Sequence, residues 1–358
     1  MKTFQCDVCS GPLFFENNFC GHCELPVGYF PGRRVMATLK GDSHRRCKNF
    51  EVQNVCNWMV PADDPEPFCQ SCRLTHVIPD LTQPQNHDLW YRTEAAKRRL
   101  IYTLLDLGLP VVSRAVDPEH GLAFEFRADE PGPEGAVLTG HDDGVITLNI
   151  AEADDAEREQ RRIKLHEPYR TLLGHFRHEI GHYYWDVLIR DGARLQDFRR
   201  LFGDETADYG EALRHHYEQG AAPDWPNKFV SSYASSHPWE DWAETWAHYL
   251  HMVDSLDTAA ASGIALHAPQ FGNARLRIEP LAEQTEFDQL MKSWLALTIV
   301  LNNLNRSMGL QDAYPFVLPN PAVDKLRFVH EIVTGLDPAE LATPSFRANT
   351  GTPATSPS

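Results

Sequence analysis

Cysteine is absent from most of the chain: residues 73–358 contain none, and all eight cysteines lie between Cys6 and Cys72. A body without cysteine cannot be held together by disulfide bonds. In a reduced compartment, clustered cysteine pairs are typical of metal ligands rather than of disulfides. The composition therefore predicts a small metal-stabilised N-terminal module followed by a separate, cysteine-free body.

Long apolar runs are absent as well. The longest one, from Trp294 to Leu301 with one threonine inside, is too short to span a bilayer. The first residues also lack the apolar segment of a secretory signal. We therefore expect a cytoplasmic protein that has no membrane-spanning segment.

Positive charge is scarce, because 33 Lys and Arg residues stand against 50 Asp and Glu residues and give a net charge of −17. Such a chain repels phosphate backbones, which disfavours duplex nucleic acid as the main partner. The acidity is concentrated in residues 81–358. A mildly basic stretch between Arg33 and Lys48 is usually a solvated face, and it is the only feature that favours a nucleic acid or an acidic protein surface.

The chain is predicted to have three parts: a Cys-rich module (residues 1–80), a body (81–335) and a disordered tail rich in Pro, Thr and Ser (336–358). Apolar spacing and terminal residues predict the main helices of the body at 87–107, 168–192, 238–256, 286–308 and 321–333. Alternating patterns predict strands at 122–127 and 145–150. We therefore expect an α+β fold, mostly helical with a small sheet.

An HExxH pentapeptide lies in the second predicted helix, where it contributes His178, Glu179 and His182. Positions i and i+4 share one face of a helix, so both imidazoles can reach a single metal ion. Glu179 would then touch a metal-bound water without ligating the metal. An apolar stripe lies on roughly the opposite side of the helix, at Leu172, Phe176, Ile180 and Tyr184. The alternative is that both histidines are ordinary core or surface residues.

A hydrolytic zinc site also needs a third protein ligand and one open position for water. The segment 203–210 is similar to the aspartate-ligand pattern of aspzincins, but Thr206 stands at the ligand position. Glu240 and Glu244 are stronger candidates because they share a helix face, and the small Ala243 permits another helix to approach closely. In this glutamate-ligand (gluzincin) arrangement Glu240 binds zinc and Glu244 accepts a hydrogen bond from the far nitrogen of a zinc-binding histidine. The alternative is a solvated acidic face.

The cysteines predict two closed metal sites of four thiolates each. The first set consists of two CxxC pairs, Cys6, Cys9, Cys20 and Cys23. The second set has only one CxxC pair and consists of Cys47, Cys56, Cys69 and Cys72. Interleaved pairing between the sets, iron in place of zinc, and redox or free thiols are open alternatives. Closed sites of this kind stabilise a fold or dock a partner and do not catalyse.

Taken together, these motifs resemble the bacterial family of zinc-binding metallopeptidases that carry an N-terminal zinc-ribbon domain. The resemblance covers roughly residues 1 to 335, and besides the HExxH helix it is carried by the stretches 47–64, 69–74, 144–152 and 312–316. It implies a zinc peptidase fold. We accordingly expect one catalytic and two structural Zn²⁺ ions.

A shorter stretch resembles gluzincins of the lethal-factor type. In those toxins a tyrosine lies seven residues before the ligand glutamate, and a second glutamate follows four residues after it; Tyr233, Glu240 and Glu244 reproduce this spacing. The likeness implies that Tyr233 donates its hydroxyl to the oxyanion that develops during hydrolysis. The alternative is a loop or core tyrosine.

These observations predict a zinc endopeptidase that acts on peptides or proteins, with Glu179 as the general base. In this class the substrate commonly lies along an edge strand, and we expect it to bind strand 145–150 through Val145, Thr147 and Asn149. One alternative is a zinc-ribbon adaptor whose peptidase-like body has lost turnover, which the intact Glu179 argues against. Another is a protease acting on nucleic-acid-bound proteins, which the net charge of −17 disfavours.

Overall fold

Helices make up most of the regular structure in the computed structural model, which describes residues 2–129, 135, 137–164, 169–266, 276–278 and 286–336. The α-helices in these residues are α1 (Lys48–Gln53), α2 (Pro84–Asp106), α3 (Asp155–Lys164), α4 (Leu172–Leu188), α5 (Leu195–Phe202), α6 (Tyr209–Gln219), α7 (Pro238–Ala261), α8 (Phe287–Ser307) and α9 (Asn320–Thr334). The five predicted helices correspond to α2, α4, α7, α8 and α9. Helix α4 begins at Leu172, and the predicted start at Pro168 lies outside the described residues.

The strands are short and form several small sheets. They are β1 (Phe4–Gln5), β2 (Pro12–Leu13), β3 (Val27–Phe30), β4 (Val35–Thr38), β5 (His44–Arg46), β6 (Met59–Pro61), β7 (Thr75–Val77), β8 (Ala123–Arg127), β9 (Gly140–Asp142), β10 (Val145–Asn149), β11 (Ala265–Leu266) and β12 (Leu276–Arg277). The fold is therefore α+β, as predicted. Within the described residues, none of the helices combines the length and the apolar character needed to cross a membrane.

The chain divides into two units. The first contains residues 1–104, 111–176 and 252–314, and the second contains residues 105–110, 177–251 and 315–358. The predicted domain boundary at residue 80 lies inside the first unit and stays a prediction. Of the predicted tail, only residue 336 falls within the described residues.

Aromatic packing and a shared sheet explain why the Cys-rich module and part of the body form one unit. Phe15 of the module packs edge-on against Tyr29 and against Tyr102 of α2, with ring centroids 5.1 and 5.2 Å apart. Tyr29 in turn lies 4.8 Å from Trp58, and all four rings are buried. Strand β7, which directly follows the last cysteines, pairs in parallel with β8 of the body. The module is thus joined to the body by its core as well as by the chain.

The largest sheet of the first unit has the strand order β7–β8–β10–β9. Strand β10 pairs in parallel with β8 along its whole length and antiparallel with β9 from Val145 to Thr147. It is therefore an inner strand over these residues. The prediction that Val145 and Thr147 bind a substrate by strand addition is wrong, because the backbone groups on both edges are already paired.

Asn149, the third residue predicted to bind substrate, uses its side chain within its own unit. Its Nδ2 donates a hydrogen bond to Asp129 Oδ1 at 2.7 Å, and its Oδ1 accepts one from the Ala151 N–H at 3.0 Å. The residue is buried. These bonds turn the chain from β10 into the following short 3₁₀ helix (Ile150–Ala153), which is a structural role.

In the second unit, α4 and α7 approach each other closely at a glycine. A β-carbon placed on Gly181 would lie only 3.0 Å from Ala243 Cα and 3.2 Å from Trp246 Cβ. Trp242 Nε1 donates a hydrogen bond to the Gly181 carbonyl oxygen at 2.8 Å. Ala243, whose small side chain was predicted to permit a close helix contact, thus faces the HExxH helix. This contact sets the distance between the two helices that carry the predicted metal ligands.

Candidate active site

Three of the predicted ligands converge in the second unit. His178 and His182 lie one turn apart on α4, and Glu240 lies in the first turn of α7. Glu240 Oε2 is 3.0 Å from His178 Nε2 and 3.6 Å from His182 Nε2, and the two ring nitrogens are 3.2 Å apart. The fold thus brings together one ligand atom from each of three residues that are up to 62 positions apart in the sequence.

This triangle of atoms fits a zinc ion. In a tetrahedral site with metal–ligand bonds of about 2.0 Å, neighbouring ligand atoms lie roughly 3.3 Å apart. The three separations observed here, from 3.0 to 3.6 Å, are close to that value. Two nitrogens and one oxygen also form the donor set of the hydrolytic zinc sites that keep a fourth position for water.

The electrostatics of the cluster also favour a cation. Burial disfavours the charged imidazole, yet Glu240 and Glu244 raise the pKa of His178 well above its ordinary value. Glu240 is itself buried, and the neighbouring histidines hold the pKa of its carboxyl well below the usual range despite that burial. An ionised carboxylate in such a place requires a positive charge nearby. A divalent cation would supply it.

Glu244 is placed as predicted, beside His178. Its Oε1 accepts a hydrogen bond from His178 Nδ1 at 2.8 Å, and its Oε2 accepts one from the Ser231 hydroxyl at 2.6 Å. A proton on Nδ1 leaves the lone pair of Nε2 pointing at the cluster, which is the tautomer that can ligate a metal. Ser231 was not predicted from the sequence. The Ser231 hydroxyl fixes Glu244 Oε2 and therefore the orientation of the hydrogen-bonded Glu244–His178 pair.

Tyr209 and Trp239 were not predicted from the sequence as neighbours of the ligands. The Tyr209 hydroxyl donates a hydrogen bond to Glu240 Oε1 at 2.6 Å. The Trp239 ring lies 3.9 Å from the ring of His182, and it packs edge-on against Tyr209 at 5.6 Å. The available signals were weak: Trp239 adjoins Glu240, and Tyr209 falls in the segment that resembles an aspartate-ligand pattern.

Glu179 follows His178 on α4 and is almost completely buried, with 9% of its surface exposed. Burial raises the pKa of its carboxyl, and positive charge on His178 and His182 opposes that rise. A carboxylate whose pKa is raised towards neutrality is a better proton acceptor than an exposed one. Its position and environment suit the predicted role of general base.

Tyr233 lies next to the cluster, in a short 3₁₀ turn (Tyr233–Ser235) that precedes α7. Its ring centroid is 5.9 Å from that of His178 and 5.9 Å from that of His216 of α6. Burial raises the pKa of the Tyr233 hydroxyl well above its usual value, so the group keeps its proton and can donate it in a hydrogen bond. The structure thus brings Tyr233 next to the ligand His178.

In the first unit, the cysteines form two separate clusters. Within each cluster, the four sulfur atoms all lie within 4.8 Å of one another. The first cluster uses the first four cysteines and the second uses the last four, so the sets are not interleaved. Cys6 and Cys23 are 3.7 Å apart, Cys9 and Cys20 are 3.6 Å apart, and Cys56 and Cys69 are 3.7 Å apart. Four sulfurs bound to zinc at about 2.3 Å lie roughly 3.8 Å apart. Both clusters therefore fit a tetrahedral ion.

Part of the basic stretch of the Cys-rich module is engaged inside the module. Arg45 donates hydrogen bonds to backbone carbonyls of the loop 61–66, and Arg46 stacks on Phe50 at 3.9 Å. Lys40 pairs with Asp7 at 2.9 Å. These three residues stabilise the module, which leaves fewer charges for a partner than the sequence suggests.

Comparisons with known proteins identify the family of the chain. The model of the family described as "Putative zinc-binding metallo-peptidase" matches residues 86–332, and that of a zinc-ribbon domain matches residues 3–83. Uncharacterized proteins of Mycobacterium bovis and of two Mycobacterium tuberculosis strains are each 45% identical over 340 residues, which cover 94% of this chain and 97% of the relatives. No solved structure matches the chain. The chain therefore belongs to this family of zinc-binding metallopeptidases, with an N-terminal zinc-ribbon domain.

Proposed function

We propose that this protein is a zinc-dependent peptidase that hydrolyses peptide bonds in peptides or proteins. The observation that carries the proposal is the convergence of His178 Nε2, His182 Nε2 and Glu240 Oε2, at separations of 3.0 to 3.6 Å. Membership in the metallopeptidase family supports the same reading. His178, His182 and Glu240 would hold the catalytic ion, and each cysteine cluster would hold one structural zinc ion.

When bound, zinc would supply a Lewis acid that polarises the scissile carbonyl and lowers the pKa of a bound water to about 7. The protein groups do the remaining work. The carboxylate of Glu179 accepts a proton from the attacking water and then donates it to the leaving amine nitrogen. Burial raises the pKa of Glu179, which makes its carboxylate a stronger proton acceptor towards water.

Tyr233 would stabilise the negative charge that develops on the carbonyl oxygen. Its protonated hydroxyl is a hydrogen-bond donor held by a turn immediately before α7, close to the His178 ring. A donor held in place before the reaction stabilises a developing oxyanion without reorganisation at that step. Glu244 and Ser231 contribute by orienting His178.

The experiment that tests this proposal combines metal analysis with cleavage of a peptide library. The wild-type protein is expected to contain three zinc ions and to cleave a subset of peptides. Glu179→Gln should keep three zinc ions and lose turnover by about 10²-fold or more, because only the proton acceptor is removed. Glu218→Gln, which replaces an exposed glutamate of α6, is the matched control and should cleave as the wild type does.

Two results would contradict the proposal. Equal cleavage by wild type and Glu179→Gln would remove Glu179 from the reaction. Three bound zinc ions without cleavage of any peptide in the library would favour the adaptor alternative, in which the body binds zinc but does not turn over.

A further inference from the structure

Glu240 presents its two carboxylate oxygens to different partners. Oε2 faces the Nε2 atoms of His178 and His182, whereas Oε1 accepts a hydrogen bond from the Tyr209 hydroxyl at 2.6 Å. An O–H group that donates to a carboxylate at this distance forms a short, charge-assisted hydrogen bond. A carboxylate with one oxygen so engaged offers a metal ion chiefly the other oxygen.

Tyr209 is held from several sides by the residues that lead into α7. His237 Nδ1 accepts a hydrogen bond from the Trp239 N–H at 3.1 Å, so the ring proton is on Nε2, which donates to the Ala207 carbonyl at 3.1 Å. The Tyr209 ring packs edge-on against the rings of His237 and Trp239, with centroids 5.3 and 5.6 Å away. The phenol therefore has a defined position relative to the helix that carries Glu240.

Helix α6 is largely exposed, and the Tyr209 side chain is itself 38% exposed. The helix has no buried side chain, and the Asp208 carboxylate caps it by accepting a hydrogen bond from the Glu211 N–H at 2.9 Å. Glycines with positive φ stand before and after it, Gly203 at 108° and Gly220 at 76°. Tyr209, in the first turn of α6, contributes a hydrogen bond that ties this helix to Glu240.

The hydroxyl of Tyr209 stays a donor in this position. The Tyr209 oxygen lies 2.6 Å from Glu240 Oε1, and an ionised carboxylate can only accept, so the phenol supplies the proton of this bond. The bond restrains the carboxylate.

We propose that Tyr209 is a positioning residue for the zinc site: its hydroxyl holds Glu240 so that Oε2 alone binds the ion. The inference rests on the proposed function in one respect, which is that Glu240 is the third zinc ligand. Hydrogen-bonded partners of metal ligands typically contribute a factor of about 10 to 100 in metal affinity. We assign a contribution of that size to Tyr209.

The test is the zinc affinity of Tyr209→Phe, measured by chelator competition and compared with the wild type. The substitution removes one oxygen and keeps the ring, and we expect zinc to bind about 10-fold to 100-fold more weakly. Tyr217→Phe is the matched control, because Tyr217 lies on the same helix and is 64% exposed. Its zinc affinity should equal that of the wild type. His182→Gln identifies which of the bound ions is released from this site.

Two further measurements separate positioning from a merely structural role. In the His182→Gln background, which keeps the ions of both cysteine clusters, Tyr209→Phe should leave the urea concentration at the midpoint of unfolding unchanged. With Co²⁺ in place of zinc, Tyr209→Phe should absorb more weakly in the visible range, because a released Glu240 can bind through both oxygens and five-coordinate Co²⁺ absorbs less than four-coordinate Co²⁺. Equal zinc affinity and an equal Co²⁺ spectrum in Tyr209→Phe and wild type would overturn the inference.

These readouts do not depend on peptide cleavage. Weaker zinc binding by Tyr209→Phe, in a protein that cleaves no peptide, would support the positioning role and contradict the peptidase. If His182→Gln binds as many zinc ions as the wild type, the three-residue site does not hold zinc, and the inference fails with it.

Discussion

The cysteine clusters and the His178–His182–Glu240 cluster are built in different ways. Each cysteine cluster takes four like ligands from one short segment, residues 6–23 or 47–72, and places them within 4.8 Å of one another. The other cluster takes three ligands of two kinds from two helices, between residues 178 and 240. Four ligands complete a tetrahedron, whereas three leave one position. The first arrangement suits stability and the second suits chemistry.

The surroundings of the clusters differ accordingly. Backbone N–H groups point at the cysteine sulfurs: Cys69 N–H donates to Cys47 Sγ at 3.3 Å and Cys72 N–H donates to Cys69 Sγ at 3.4 Å. Around the His178–His182–Glu240 cluster the donors are side chains. Tyr209 donates to Glu240, and Ser231 donates to Glu244, which in turn contacts His178. A site held by backbone groups is tied to the local fold. A site held by side chains can be altered by substitution without loss of the fold.

The largest effect that we predict is on a cysteine cluster. Cys69→Ser removes a buried thiolate, and we expect the free energy of unfolding to fall by more than about 3 kcal/mol, because a structural zinc ion contributes on the order of 10 kcal/mol to folding. His182→Gln should lose one zinc ion as well, but with a much smaller loss of stability. Urea unfolding and zinc analysis of both variants measure the contrast. Equal destabilisation by the two variants would contradict the division between a structural and a chemical site.

A smaller effect is expected where the two ligand-bearing helices touch. Gly181→Ala would place a methyl group 3.0 Å from Ala243 Cα, and we expect a loss of about 1–3 kcal/mol together with weaker zinc binding at the three-residue site. Gly210→Ala is the control, since its methyl group would meet nothing closer than 3.6 Å and a helical alanine is more favourable than a glycine. Urea unfolding and chelator competition test both. An unchanged zinc affinity in Gly181→Ala would show that helix spacing does not control the site.

The smallest predicted effect concerns Glu152, a buried carboxylate whose charge is balanced by arginines. Glu152 is as buried as Glu240, but it pairs with Arg161 at 2.7 Å and Arg170 at 2.9 Å. Burial opposes its ionisation, yet the positive charges of His175, Arg170 and Arg161 lower its pKa below the ordinary 4.5. Glu152 therefore contributes stability above pH 4.5, and this contribution is lost as the pH falls through the lowered value in the folded protein.

We expect Glu152→Gln to be about 1–2 kcal/mol less stable than the wild type at neutral pH. Urea unfolding at several pH values should show this difference narrowing in acid. Glu119→Gln, at an exposed side chain, should show no such difference. A difference that stays constant down to acid pH would mean that the charge of Glu152 does not contribute.

Much of the fold follows from local patterns. Apolar spacing located helices α2, α4, α7, α8 and α9, because the helical period is a property of neighbouring residues. The strand over residues 145–150 was also located, but its neighbour β9 was not. The Asp143-Gly144 pair, with φ of 44° and 85°, is a hairpin turn that could have revealed it. The domain boundary at residue 80 stays a prediction, and the aromatic contact between Phe15 and Tyr102, which joins distant segments, has no counterpart in any local pattern.

The sequence by itself determined which groups could bind metal. The HExxH spacing, the Glu240 and Glu244 pair and the two sets of cysteines are all visible in it, because metal ligation uses few residue types at fixed local spacings. Only the tertiary structure decided which oxygen of Glu240 faces the histidines, that Tyr209 and Ser231 restrain the carboxylates, and that β10 is an inner strand. Such contacts depend on how helices and strands that are distant in the sequence pack together, and the spacing of neighbouring residues does not determine that packing.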